Sequence, residues 1–157
     1  MNQDINLFIR GEWRAASDKA TKPVTDPATE DALGTIAVAT EADIDAALQA
    51  AQDGFKLWRK TGTWERAAKI RKAADLIRER QSEIATLMSL ETGKPVAESM
   101  GETAAAADQF EWYSEETKRI YGQVIGSRTT DSRMVVIHQP VGVVAAFSAW
   151  NFPALLP

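Results

Sequence analysis

The stretch Val141-Gly142-Val143-Val144-Ala145-Ala146-Phe147-Ser148-Ala149-Trp150-Asn151-Phe152-Pro153 decides how the rest of the chain reads. Its first seven residues are nearly continuous in apolar side chains, without the alternation of a half-exposed strand. A strand buried on both faces reads this way, and such strands belong to parallel sheets covered by helices. Pro140 stands at the start of this strand, where a missing N–H is tolerated. Trp150 and Asn151 then fall between a strand end and a helix start, the place where open α/β sheets bind ligands.

Working outward, Met134-Val135-Val136-Ile137 reads as another strand, and a long helical block precedes it. Leu7 to Ala16 reads as a hairpin turning at Arg10-Gly11. Thr25 to Glu30 is a turn built on Asp26-Pro27, and Leu33 to Val38 is a short strand. Thr40 stands where a helix N-cap belongs, with Glu41 and Asp43 in the first turn. Ile44, Ala47, Leu48, Ala51, Phe55 and Trp58 then mark one apolar helix face. Thr63 is expected to cap the next helix, whose stripe is Ala67, Ile70, Ala74 and Ile77. A third helix over about 82–90 stops at Glu91-Thr92-Gly93-Lys94-Pro95, where Gly suits a left-handed end and Pro can open the next element. A long Ala-rich helix runs from Val96 to Ile120 and ends at Gly122. A buried strand that delivers a site and then stops leads to the expectation that residues 1–157 are part of a longer protein.

Composition narrows the chemistry. The 157 residues are 45% hydrophobic and 25% charged, enough for a globular core. The net charge of −4 argues against nucleic-acid or anionic-membrane binding. With no cysteine and one histidine, His138, the chain offers neither a thiol nucleophile nor a His/Cys metal site, and none is expected. Met1-Asn2-Gln3-Asp4 opens no leader sequence and no apolar run spans a bilayer, so a cytoplasmic protein is expected.

Asn151 is the candidate catalytic residue. Its uncharged carboxamide carries two donor hydrogens that could be fixed in place before negative charge develops on a substrate oxygen. The competing reading makes Asn151 a helix cap, with Trp150 and Phe152 packed in the core. From spacing alone the cap is the commoner case.

Gln139 to Ala146, leading into Trp150-Asn151-Phe152-Pro153, is similar to the aldehyde dehydrogenase superfamily. So are Glu91-Thr92-Gly93-Lys94-Pro95 and Thr25-Asp26-Pro27-Ala28-Thr29, in the same order and separation. Three collinear motifs covering nearly the whole chain are a specific signal. The resemblance implies an α/β fold, namely the N-terminal part of an enzyme with a Rossmann-like nucleotide-binding domain. On that scheme about 1–120 and 138–157 belong to the nucleotide-binding domain with its helical block. The stretch of about 121–137 belongs to a β-rich extension that builds a homo-dimer or homo-tetramer.

The implied reaction oxidises an aldehyde to a carboxylic acid with NAD or NADP. A cysteine thiolate attacks the aldehyde, hydride passes to the nicotinamide, and a glutamate-activated water hydrolyses the thioester. Asn151 matches the asparagine that helps bind the oxyanion. Phe147, Ser148, Ala149, Trp150 and Asn151 match residues lining the dinucleotide, and Phe152 matches a position near the substrate channel. Ala149 departs from the proline common at that position, which leaves the turn less rigid. The helix Phe110-Glu111-Trp112-Tyr113, continuing to Tyr121-Gly122, is similar to succinate-semialdehyde dehydrogenases.

The nucleophilic cysteine and the glutamate base are then expected downstream, and residues 1–157 alone are expected to be inactive. The rival readings are a non-catalytic assembly fragment and a relative that acylates coenzyme A. Lys94 lacks the spacing of a phosphate loop and reads as a helix-junction residue. Trp58 and Trp64 read as core or helix-junction packing.

Overall fold

The computed structural model describes residues 3–157. Met1 and Asn2, the start of the stretch read for a leader, lie outside the described residues. Three sheets flank four helices. In the first sheet β5 (Ala32–Ala37) is central, pairing parallel with β1 (Gln3–Ile5) and antiparallel with β4 (Thr21–Thr25). Pro23 is accommodated because β4 is an edge strand. The Asp26 carboxylate accepts from the Ala28 N–H at 2.8 Å, the self-capping turn expected there. β2 (Leu7–Ile9) and β3 (Glu12–Arg14) form the anticipated hairpin, with Phe8 opposite Trp13. Arg10 and Gly11 both have positive φ, 59° and 84°, the conformation that lets a two-residue loop follow strand twist.

Helix α1 (Glu41–Trp58) begins as the sequence indicates: Thr40 is its N-cap, and Asp43 completes a reciprocal capping box. Asp43 is also buried, at 1% exposure. Its carboxylate accepts from the Ser17 N–H and hydroxyl, both at 3.0 Å, and from the Arg14 guanidinium at 3.0 Å. One side chain thereby ties the hairpin to the helix. The main-chain N–H groups of Ser17 and Thr40 hold this carboxyl well below the usual carboxylate range, outweighing desolvation.

The rest of the packing is helix on helix. α2 (Thr63–Glu79) and α3 (Gln81–Thr92) lie against α4 (Val96–Glu116), which runs into a 3-10 turn at Thr117–Arg119. The buried apolar residues are alanines, Ala67 and Ala74 on α2, Ala85 on α3, and Ala106 and Ala107 on α4, together with Met88 on α3. Small residues let the helix axes approach, and Arg78 on α2 adds an ion pair to Asp108 on α4 at 2.7 Å. Two expectations about this region are corrected. The N-cap of α2 is Gly62 and Thr63 is already helical, so no side chain caps it. Of the core and helix-junction alternatives for Trp58 and Trp64, the core one fails: Trp64 is 76% exposed and Trp58 is also exposed, while the Lys118 ammonium, 4.9 Å from the Trp64 ring centroid, fits the junction alternative for that residue.

A second hairpin, β6 (Gln123–Ile125) with β7 (Met134–Val136), follows α4. Gly122 is required at its entrance, because a Cβ there would run into the Val136 carbonyl oxygen. Among the described residues the buried parallel strand expected over 141–147 is not present. These residues have no assigned strand and no partner, and Val141 and Phe147 are 94% and 96% exposed. A strand is defined by the neighbours it hydrogen-bonds, and none of the described strands lies beside it.

Candidate functional site

The candidate residues fall on one continuous segment. Phe147, Ser148 and Ala149 continue the extended run, while Trp150 and Asn151 open a tight turn. All five are exposed, as is Phe152, so among the described residues Trp150 and Phe152 are not packed in the core as the cap reading has them. The Leu156 N–H donates to the Phe152 carbonyl at 3.1 Å, which makes 152–156 a single helical turn.

Such a turn leaves its first N–H groups without partners inside it. Glu102, buried on α4 beside Ser99 and Thr103, supplies the acceptor. One carboxylate oxygen accepts from the N–H of Ala154 at 2.9 Å and of Leu155 at 3.3 Å. A carboxylate at the positive end of a helical turn is favourable. Glu102 thus does from a distant helix what a capping side chain does locally, and among the described residues nothing bonds to the Asn151 carboxamide.

Lys94 completes the arrangement. Gly93, at φ 72°, ends α3 in the left-handed conformation, and Pro95 opens α4, so Lys94 is the middle of a three-residue corner. The Thr92 hydroxyl accepts the Lys94 N–H at 3.2 Å and fixes the corner further. The Lys94 ammonium donates to the second Glu102 oxygen and, at 2.7 Å, to the main-chain carbonyl of Asn151. It also lies 4.2 Å from the Phe152 ring centroid. The side chains of Lys94 and Glu102 are 14% and 2% exposed. Burial pushes the Glu102 carboxyl up, but the Lys94 ammonium and the two N–H donors outweigh it and hold it below the ordinary value. The sequence marks Lys94 only as a helix-junction residue and Glu102 not at all, because 52 to 57 residues separate the two from the segment they grip. The one available signal was a lysine fixed between Gly93 and Pro95.

The same turn bounds a cleft of about 610 Å³ in which Leu155 and Leu156 face Ile70, Phe110 and Tyr113. The aromatic helix motif beginning at Phe110 therefore meets the chain just beyond Asn151.

Residues 13–157 match the model of the aldehyde dehydrogenase family, and the chain belongs to that family. It is 44% identical to glutarate-semialdehyde dehydrogenase of Pseudomonas putida, over 95% of this chain and 31% of that protein. It is 43% identical to the NADP(+) succinate-semialdehyde dehydrogenase of Escherichia coli, over 98% of this chain and 33% of that protein. The structure superposes on that of an NAD-dependent aldehyde dehydrogenase from Sinorhizobium meliloti with a TM-score of 0.96 and 30% identity, covering 99% of this chain and 32% of that one. The chain thus spans about a third of the length of these relatives, and its α/β fold is part of the aldehyde dehydrogenase fold.

Proposed function

We propose that these residues serve an enzyme that oxidises an aldehyde, with succinate semialdehyde the favoured substrate, to the carboxylic acid using NAD or NADP. The observation that carries this reading is the state of Asn151. The N–H groups that a capping side chain would serve are already taken by Glu102, while the backbone of Asn151 is gripped at its carbonyl. A carboxamide free of capping duty on a held backbone suits a preset donor to an oxygen acquiring negative charge. Family membership supplies the aldehyde, and the dicarboxylic semialdehydes in the relatives' names supply the substrate class.

The segment also fits one wall of a dinucleotide site. Phe147 and Trp150 present aromatic surface and Ser148 a hydroxyl, none of it consumed by packing among the described residues. NAD or NADP, when bound, accepts the hydride. The relatives divide between the two, one being named for NADP(+) and another for NAD. Phe152, held over the Lys94 ammonium, would stand at the substrate channel. In this reading about 1–120 with 138–157 belong to a nucleotide-binding domain. The hairpin within 121–137, whose strands are exposed, serves assembly into a homo-dimer or homo-tetramer in the cytoplasm.

The test is reduction of NAD or NADP by the full-length enzyme with succinate semialdehyde. Asn151→Ala lowers kcat about 10²- to 10³-fold, the loss typical of one oxyanion donor. An unchanged kcat would remove Asn151 from the reaction. A polypeptide of residues 1–157 alone, which contains no cysteine, should reduce neither dinucleotide.

A further inference from the structure

We infer that Lys94 and Glu102 are positioning residues that act through the backbone of the Asn151 turn, an inference resting on the oxyanion role proposed for Asn151. A lysine at a helix corner is ordinarily solvated, and burying its charge is unfavourable without partners. Lys94 is largely buried, and its partners are the Asn151 carbonyl, the Phe152 ring and the Glu102 carboxylate. Glu102 spends its other oxygen on Ala154 and Leu155. Every side-chain hydrogen bond and cation–π contact of the pair beyond its own ion pair, among the described residues, is therefore directed at residues 151–155.

The chemistry of the two groups suits this task. The ammonium has donors to spare and the carboxylate has lone pairs to spare, so one ion pair can hold one carbonyl and two N–H groups at once. The ammonium and the carboxylate together carry no net charge, so holding the turn adds no unpaired charge beside it. With the Asn151 carbonyl held on one side and the next helical turn on the other, the Cα that carries the carboxamide has little freedom. Ala149, which lacks a ring to stiffen the approach, leaves this work to the ion pair.

The experiment is a double-mutant cycle in the full-length enzyme with Lys94→Met and Asn151→Ala, read as kcat and as KM for dinucleotide. Lys94→Met alone lowers kcat about ten- to a hundredfold, the scale of a small misplacement of a reacting group. The KM for dinucleotide changes by less than about twofold, as for an interaction made only in the transition state. In the Asn151→Ala background the same substitution lowers kcat no further. Losses that multiply instead would overturn positioning through Asn151. If Asn151→Ala by itself leaves kcat intact, the oxyanion reading has failed, and amide exchange decides the grip separately. Faster exchange of the Ala154 and Leu155 N–H groups in Lys94→Met upholds it, and unchanged protection overturns it. Glu102→Gln, which keeps the shape and removes the charge, should move both readouts in the same direction, and no change in either counts against the pair.

Discussion

The carboxylate of Asp43 accepts the main-chain N–H of Ser17 at 3.0 Å while it closes the capping box of its own helix with Thr40. A residue chosen by local helix chemistry thus also carries a contact between elements. The first testable consequence concerns acid. The Asp43 and Glu102 carboxyls are both depressed on folding from ordinary values of 3.8 and 4.5. Their contribution to stability is complete above those unfolded values and is lost as pH falls through the lower, folded ones. Asp43→Asn should therefore destabilise the protein at neutral pH and flatten the loss of stability below about pH 4. Urea midpoints for the two proteins across that range check both, and parallel curves would refute the assignment.

Removing one member of a buried ion pair strands the other. Glu102→Ala leaves the Lys94 ammonium, 14% exposed, without its carboxylate, and leaves the Ala154 and Leu155 N–H groups without an acceptor. A loss of about 3–5 kcal/mol is expected for breaking such a pair. Equilibrium denaturation measures it, and a value under about 1 kcal/mol, that of a surface pair, would show the pair to be solvated.

Gly93 tests the corner. A side chain at φ 72° is strained, and the added Cβ would sit 3.2 Å from the Pro27 ring carbon. Gly93→Ala should cost about 1–2 kcal/mol from backbone strain. Gly93→Asn, which tolerates the left-handed region, should cost less than Gly93→Ala if strain rather than space dominates. Thermal melts of the pair give the order.

Gly122 tests the second hairpin. Because a Cβ meets the Val136 carbonyl, Gly122→Ala must displace β6 from β7 at their base. If residues 121–137 build the assembly, sedimentation should show a smaller species with an unchanged helical spectrum. A full-size assembly would remove the hairpin from that role.

What could be read from sequence was what neighbours in sequence determine. The Thr40 cap, the left-handed end at Gly93 and the Arg10-Gly11 turn all depend on residues within about four positions and stand as expected, while the reciprocal bond from Asp43 that makes the cap a box is a finding of the structure. Thr63 misled because a hydroxyl at a helix start can sit inside the first turn, leaving Gly62 as the cap. The run 141–147 misled for another reason. Its apolar pattern describes an environment on both faces, and an extended segment becomes a strand only where another backbone lies beside it. Lys94 and Glu102 were invisible as a pair because their role is defined by a segment 52 to 57 positions away. The aromatic character of 147–152 was legible, but not that it would be exposed.

The corner at Gly93-Lys94-Pro95 carries one more implication. Since its lysine holds the carbonyl of Asn151, two motifs that look like separate signatures form one mechanical part. Anyone grafting the Trp150 to Pro153 turn onto another scaffold, or exchanging it for a relative's version, would need to move the corner and the glutamate of α4 with it. A chimera that joined the two halves from different parents between residues 102 and 150 would put this part together from mismatched pieces.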